Sequence, residues 1–338
     1  LKNQLIKSIA RNIIFPLTIK LGLQKIIINR KNGVLNIYFH GVSPTDFTHI
    51  SGRHMQLNQF EMLLKYLIRN FQIIDLKTSF QMQKPTNANS RLISISFDDG
   101  YYNNYKYLPE LITKYKVPVT IFACGVAFEK TDYVMWTDQI ALLRFFLKKD
   151  YLEIGSEIFY KKGTYDLFTN DGVSLYLKIK NMGPKTREPF LDELDRKYNI
   201  IEMAKKFDED YWKLMNRKQI LELINTGYFE IASHGMYHYN LANISEEEAK
   251  KDMNDSSSLL FNILGEKVDS ISFPDGSYNE TVIKNAQKSG YDKLWVSNYN
   301  SKLDKINPLL RSRFGVSSTT NYYSNIVSIY KAFKSYGI

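Results

Sequence analysis

The stretch that decides the fold is RLISISFDDGYYNNYKYLPELITKYKVPVTIFACG, residues 91–125. It reads as an apolar strand, a turn bearing two aspartates and a glycine, a helix with apolar residues at helical spacing, and a second apolar strand. Working outward, the same strand–helix rhythm recurs. GVLNIYFHG (33–41) is a strand reaching His40, LNQFEMLLKYLIRN (57–70) is a helix, and FQIIDL is strand-like. After residue 225, YFEIASHG, VDSISFPDG and YDKLWVSNY are strands, with SEEEAKKDMNDSSSLLFNILG and NETVIKNAQKSG as helices between them. Such alternation with short connections predicts an α/β protein, a parallel sheet covered by helices, as an open sheet or a barrel. Between residues 126 and 225 the rhythm breaks, and a mostly helical insertion is expected there, inside one catalytic domain spanning 33–338.

Composition narrows the class. A chain of 338 residues, 44% hydrophobic and 24% charged, buries a large core and is not disordered. The single cysteine, Cys124, excludes an internal disulfide and a thiolate-built metal site, and its apolar surroundings make it a packing residue. The formal charge of +10 suits anionic polymers or an anionic lipid face. Finger spacing, a phosphate loop and an RNA-binding aromatic signature are all absent, so no nucleic-acid partner is expected. Residues 1–32 form a basic, apolar segment broken by Pro16 and Gly22, too interrupted to cross a bilayer. It is expected to be helical and to pack on the body with its lysines outward; peripheral contact with an anionic membrane is the rival reading. The start at Leu, not Met, is consistent with residues or a leader ahead of it. The expected location is the cytoplasm, at the inner membrane face, with export left open.

Chemistry-bearing residues collect where parallel strands end. Three stretches place polar groups there: Asp98–Asp99–Gly100, Ser233–His234–Gly235 with His238, and Pro274–Asp275–Gly276. His234 and His238 share one face at a spacing of four, and two imidazoles plus a carboxylate leave room for water and substrate on a metal. Two adjacent carboxylates in a half-buried mouth need a positive partner, which a metal supplies while the second carboxylate serves as a base. A turn at Gly100 would bring both to one cavity. Against this stands a bland alternative: DDG as an Asx-type strand cap and the histidines as loop hydrogen bonders.

Taken in this order, SFDDG, SHGMYH and FPDGSYN resemble the polysaccharide deacetylase family, the NodB-homology or carbohydrate esterase family 4 type, with YFHGV also matching. The resemblance spans roughly residues 33–320. It implies a distorted (β/α) barrel with fewer strands than a TIM barrel, and metal-dependent hydrolysis of N-acetyl, sometimes O-acetyl, groups on sugars. It also implies Asp98 as general base and Asp99, His234 and His238 as ligands of one divalent ion, zinc first among the first-row metals. The implied partner is an acetylated oligo- or polysaccharide of the bacterial surface, or its precursor. The oxyanion donor would come from the FPDGSYN loop, near Asp275 or Gly276, which would also shape the sugar pocket.

Two departures from the family pattern stand out. The third motif lacks an arginine ahead of its proline; Arg313 resembles a late arginine that orients Asp98, with Arg311 as its rival. No histidine follows His238, so the family's late catalytic histidine is missing. His40 is then the best candidate to act as acid, with His49 and His54 weaker. Among the aromatics near strand ends (Trp136, Tyr101, Tyr102, Tyr237 and Trp295), Tyr101 and Tyr237 are the expected sugar contacts. A binding or assembly protein with little catalysis, or an O-acetyl esterase, remains an alternative on the same fold.

Overall fold

The computed structural model describes residues 10–23, 33–82, 91–163 and 165–335. Parts of the expected N-terminal segment, 1–9 and 24–32, lie outside the described residues. Seven runs build one parallel sheet: β1 (Gly33–Phe39), β2 (Arg91–Phe97), β3 (Val119–Ala123), β4 (Phe229–Ser233), β5 (Ser270–Ser272), β6 (Lys293–Val296), and a last run split into β7 (Leu310–Ser312) and β8 (Phe314–Gly315). Every ladder between them is parallel. A short extra strand, Gln72–Ile73, pairs with β2.

The split in the last run explains the closure. β7 pairs with β6 at one edge of the sheet, and β8 pairs with β1 at the other. Only Arg313 separates them, its N–H donating to Val296 O at 2.8 Å. The two edges therefore meet at a single residue, and the sheet curls into a nearly closed barrel. The open-sheet alternative is set aside by this pairing.

Helices coat the outside: α1 (Leu57–Asn70), α2 (Tyr102–Tyr115), α3 (Trp136–Phe146), α4 (Pro184–Tyr198), α5 (Glu246–Leu264), α6 (Glu280–Lys288) and α7 (Tyr322–Ser335), with shorter helices among them. α1 turns Phe60, Leu63, Leu64 and Leu67 into the core. α5 begins at a Ser245–Glu248 capping box and stops at Gly265, whose φ of +73° suits glycine. Alternation along β2 sorts its two faces. Phe97 stacks on Phe39 at 5.3 Å and meets Phe60 of α1 edge-on at 5.6 Å, so this face points to the helices. Ser94 and Ser96 lie on the other face, inside the barrel, where Ser94 hydrogen-bonds Asn36 at 2.7 Å.

The 126–225 insertion holds α3, α4 and several shorter helices, as expected. It also contains an antiparallel sheet that the reading of the sequence lacked: Tyr151–Ile154, Glu157–Lys162 and Asp166–Phe168. Ile154 pairs with Glu157, so Gly155–Ser156 is a two-residue hairpin turn with Gly155 at φ +55°. Trp136, Ile140, Leu152, Phe159, Leu175 and Leu194 are among the residues of its buried cluster. Near the N-terminus, Phe15–Lys20 is helical and lies beside α7, where Lys331 sits 5.8 Å from the Phe15 ring. Among the described residues no helix is long and apolar enough to cross a membrane.

Candidate metal centre and catalytic cavity

Strand alternation carries Asp98 into the barrel mouth. It follows Phe97, its N–H continues the ladder to Phe39 O at 2.9 Å, and its carboxylate takes the inward side shared by Ser96. Asp99 would then be expected to point away. It does not continue the strand: its φ is +73°, followed by Gly100 at +83°. The turn thus begins at the aspartate itself, a residue type that tolerates the left-handed region, and not at Gly100 alone. Gly100 is needed for a second reason, because a Cβ there would lie 3.0 Å from the Ala123 Cβ and 3.2 Å from its Cα.

Asp98 and Arg313 form a fork. Nη1 donates to Oδ1 at 2.7 Å and Nη2 to Oδ2 at 2.8 Å, with both residues buried. The guanidinium is itself fixed by Ser96 Oγ at 3.0 Å, by Ser272 Oγ, and by the rings of Tyr38 and Phe122 at 4.6 and 4.7 Å. Burial pushes the Asp98 carboxyl up, but Arg313, with His234 and His40, outweighs it and holds the group below the usual carboxylate range. Arg311, the rival, lies against Phe80 and donates to Leu310 O, away from Asp98.

Asp99, His234 and His238 converge. Nε2 of each histidine lies 3.5 Å from Asp99 Oδ1, and one ligand atom from each of the three residues falls within 4.8 Å of the others. Nδ1 of His234 is hydrogen-bonded to Ser272 O at 2.8 Å, which leaves Nε2 with its lone pair facing the centre. Burial pushes both imidazoles below their ordinary range, His238 to about 4, so they are neutral near pH 7. Burial, then Asp98 and Asp138, pushes Asp99 well up, and its Oδ1 has no hydrogen-bond partner among the described residues. A buried, unpartnered carboxylate oxygen facing two neutral imidazoles fits a divalent cation.

The loop carrying the histidines is held from two sides. Asp252 of α5 accepts from Met236 N at 2.8 Å and Tyr237 N at 3.1 Å. From the insertion, the fully buried Arg187 of α4 donates to His238 O at 3.1 Å and Tyr237 O at 2.8 Å, and lies 3.6 Å from the Tyr239 ring centroid. Trp136 Nε1 donates to His238 O as well, at 3.2 Å. His238 needs this support, having a φ of +54° without being glycine.

Asp98, Asp99, His234 and His238 open on a cavity of about 390 Å³ with His40, Arg53, Tyr176, Asp275, Gly276 and Ser297 in its walls. His40 reaches it from the end of β1, and burial lowers its imidazole to about 4. Asp275, at φ +58°, and Gly276, at +64°, turn sharply beneath Ser297. The Gly276 N–H is committed to Phe273 O at 2.9 Å, so it is not the free donor expected of it.

Two expected sugar contacts are corrected. Tyr101 is fully buried: the left-handed turn at Asp99–Gly100 directs it behind the cavity, where its hydroxyl donates to Asp138 Oδ2 at 3.0 Å. Tyr237 is outside the cavity wall, with Lys130 5.6 Å from its ring. Trp295 is core, His54 is buried against Asn103, and His49 is exposed beside Phe145. Tyr176 and Arg53 went unnoticed in the sequence. Arg53 is paired with the buried Asp138 at 2.7 Å, a partnership across the insertion that no local pattern announces.

With this geometry in place, the relatives can be compared. Residues 180–294, about a third of the chain, match the sequence model of a family described as polysaccharide deacetylase. Over that third, the chain is similar to polysaccharide deacetylases. The matched segment holds both histidines and the FPDG turn; Asp98 and Asp99 lie outside it and join the site through the fold. YxkH of Bacillus subtilis (strain 168), a polysaccharide deacetylase by assignment, is 29% identical over 103 residues, 30% of this chain and 36% of that one. The match thus spans about a third of the curated relative's length. Among solved structures, IcaB from Ammonifex degensii superposes with a TM-score of 0.56 at 13% identity, covering 90% of this chain and 99% of that one. Streptococcus pyogenes deacetylase PplD in complex with acetate gives 0.55 at 12% identity, covering 89% and 99%. At these identities the likeness to solved structures is one of fold, and it is that of the deacetylase barrel.

Proposed function

We propose that this protein hydrolyses N-acetyl groups on a bacterial surface or exported polysaccharide, or on its precursor, with one divalent metal ion, zinc first among the choices. The observation that carries the reading is the Asp99–His234–His238 cluster set beside a base already forked by Arg313, in one cavity. PplD, a deacetylase whose structure contains acetate, shares the fold, and acetate is what this reaction would release.

A carboxylate held as low as Asp98 stays ionised near neutral pH but is a weak base. It would take a proton only from an acidified water; Asp99, His234 and His238 would hold a divalent ion, which when bound would supply that acidity and polarise the acetyl carbonyl. Water then adds to the carbonyl carbon as its proton passes to Asp98. The C–N bond breaks as the proton received by Asp98 is handed on, by way of His40, to the leaving nitrogen, giving acetate and a free amino sugar. Arg313 keeps the Asp98 oxygens aimed at the centre throughout.

A second reading follows from His40. Its imidazole is neutral near pH 7, and no histidine follows His238, so the supply of a proton to the leaving group is thin. An O-acetyl ester places weaker demands on that step, and the same residues would cleave it. Acetate release from N-acetylated and O-acetylated oligosaccharides separates the two. The expected result is release from the N-acetylated substrate that is lost on chelation and falls about 10²-fold or more in Asp98→Asn. Absence of turnover on either substrate would leave a carbohydrate-binding protein.

We further propose that the protein works in the cytoplasm, against the inner face of the membrane. Ile13, Ile14, Leu17 and Leu21 are each more than half exposed on the N-terminal helical turns and would form the contact.

A further inference from the structure

Arg53 enters the wall of the catalytic cavity through a close approach of two chain segments. Gly41–Ser43, directly after His40, pairs in parallel with His54–Gln56, and the Gly41 N–H donates to Arg53 O at 3.1 Å. Glycine is needed at 41, because a Cβ there would fall 2.1 Å from Nδ1 of His54. The pairing brings Arg53 near His40, whose imidazole is lowered by burial and further by the guanidinium charge.

The insertion clamps this side chain. Nε and Nη2 both donate to Asp138 Oδ1, at 3.1 and 2.7 Å, and Nη2 also reaches Thr137 O at 2.9 Å and the Tyr211 hydroxyl at 3.5 Å. Asp138 is fully buried, and its other oxygen accepts from Tyr101. Nη1 has no hydrogen-bond partner among the described residues, and 17% of the Arg53 side chain stays open to solvent. The carboxylates of the cavity are matched at their own places. Asp98 has Arg313, Asp275 has Lys180 at 3.4 Å, and Asp99 belongs to the candidate metal cluster. Arg53 is thus a fixed, permanently charged donor in the wall, with one prong unused.

Such a prong gains most from an anionic oxygen, because a hydrogen bond between charged partners is shorter and stronger than a neutral one. A cavity of about 390 Å³ is at the small end of the range for ligand pockets, about 300–1,000 Å³. The anion and the acetyl group at the Asp98 end therefore belong to one ring. We propose that Arg53 reads an acidic group, a carboxylate or a phosphate, on the same sugar ring that loses its acetyl group. The inference rests on the deacetylase reading for the ring and adds its charge. The formal charge of +10 on the chain agrees with an anionic polymer as substrate.

Three N-acetyl sugars that differ only at C6 test this: N-acetylglucosamine, its uronic acid and its 6-phosphate. Acetate release gives kcat/KM for each, and calorimetry gives binding without turnover. The wild type should favour one of the acids over the neutral sugar by about tenfold or more in both measurements. The favoured acid identifies which group is read. Arg53→Met combined with Asp138→Asn removes both charges of the buried pair, so neither is left unmatched, and the acid-to-neutral ratio should fall toward one. Arg53→Lys keeps the charge without the fixed prong and should retain part of the ratio. Circular dichroism checks the folding of each variant. Equal handling of acidic and neutral sugars by the wild type, or an undiminished ratio in the folded double variant, would overturn the role of Arg53. If the double variant does not fold, an undiminished ratio in Arg53→Lys overturns it instead. Acid-selective binding that disappears in the double variant, with no acetate released from any of the three, would uphold Arg53 and remove the deacetylase reading.

Discussion

In the proposed reaction Asp98 can serve as base because Arg313 lets it stay charged although it is buried. In Arg313→Ala, burial acts on the carboxyl with less opposition, so Asp98 remains protonated to higher pH. A general base must be ionised, so the acid limb of the kcat/KM profile moves upward. The buried charge also loses its partner, which costs about 3–5 kcal/mol of stability. Arg313→Lys keeps the charge but not the two-pronged grip, and its acid limb lies closer to that of the wild type. A pH–rate series with thermal unfolding on the same three proteins checks both statements. An unmoved limb in a folded Arg313→Ala protein would show that Asp98 is not the group titrating.

At the scale of elements, the insertion reaches the candidate metal centre through α4. Arg187 bonds the carbonyls of His238 and Tyr237, and the two partners it joins lie 51 and 50 residues away in sequence. Arg187→Ala is expected to lower zinc affinity about 10–100-fold, the effect of losing an outer support of a ligand, with the helical content of the chain retained. Competition titration against a chelator measures it, and Arg187→Lys should recover only part, since one ammonium cannot serve two carbonyls in fixed directions. These long separations also mark what could be read in the sequence. The DDG turn and the histidine pair were legible because each is local and follows a periodic strand. Arg53–Asp138, Arg187 and Tyr176 were not, because their partners are set by how the insertion docks, and Asp252 was not, because its partners are backbone N–H groups of a loop 15 and 16 residues upstream. The inserted hairpin did leave a signal: Gly155–Ser156 lies between two short runs suited to strands, and the aromatic-rich surroundings hid it. Tyr101 and Tyr237 were misjudged for the opposite reason. Adjacency in sequence to a ligand says little once the backbone turns left-handed between them.

For the whole molecule, the proposed membrane contact has a direct consequence. The protein should sediment with vesicles containing anionic lipid, and do so less as salt rises. Leu17→Glu with Leu21→Glu should abolish the association without touching acetate release, since the described N-terminal helix sits beside α7, remote from the cavity walls. Vesicle binding that persists in the double variant would remove that face from consideration.

The strand that switches neighbours at Arg313 also ties assembly to chemistry. Asp98 and Arg313 are 215 positions apart, and the guanidinium arrives only when the last strand has found both β6 and β1. Until then the first half of the sheet carries a carboxylate without its counter-charge, and the carboxyl stays protonated in any apolar enclosure. A partly folded chain is therefore chemically silent. Turnover becomes a gauge of ring completion, and refolding followed by acetate release should lag refolding followed by helix content, with the delay set by the slow, long-range docking of one short strand.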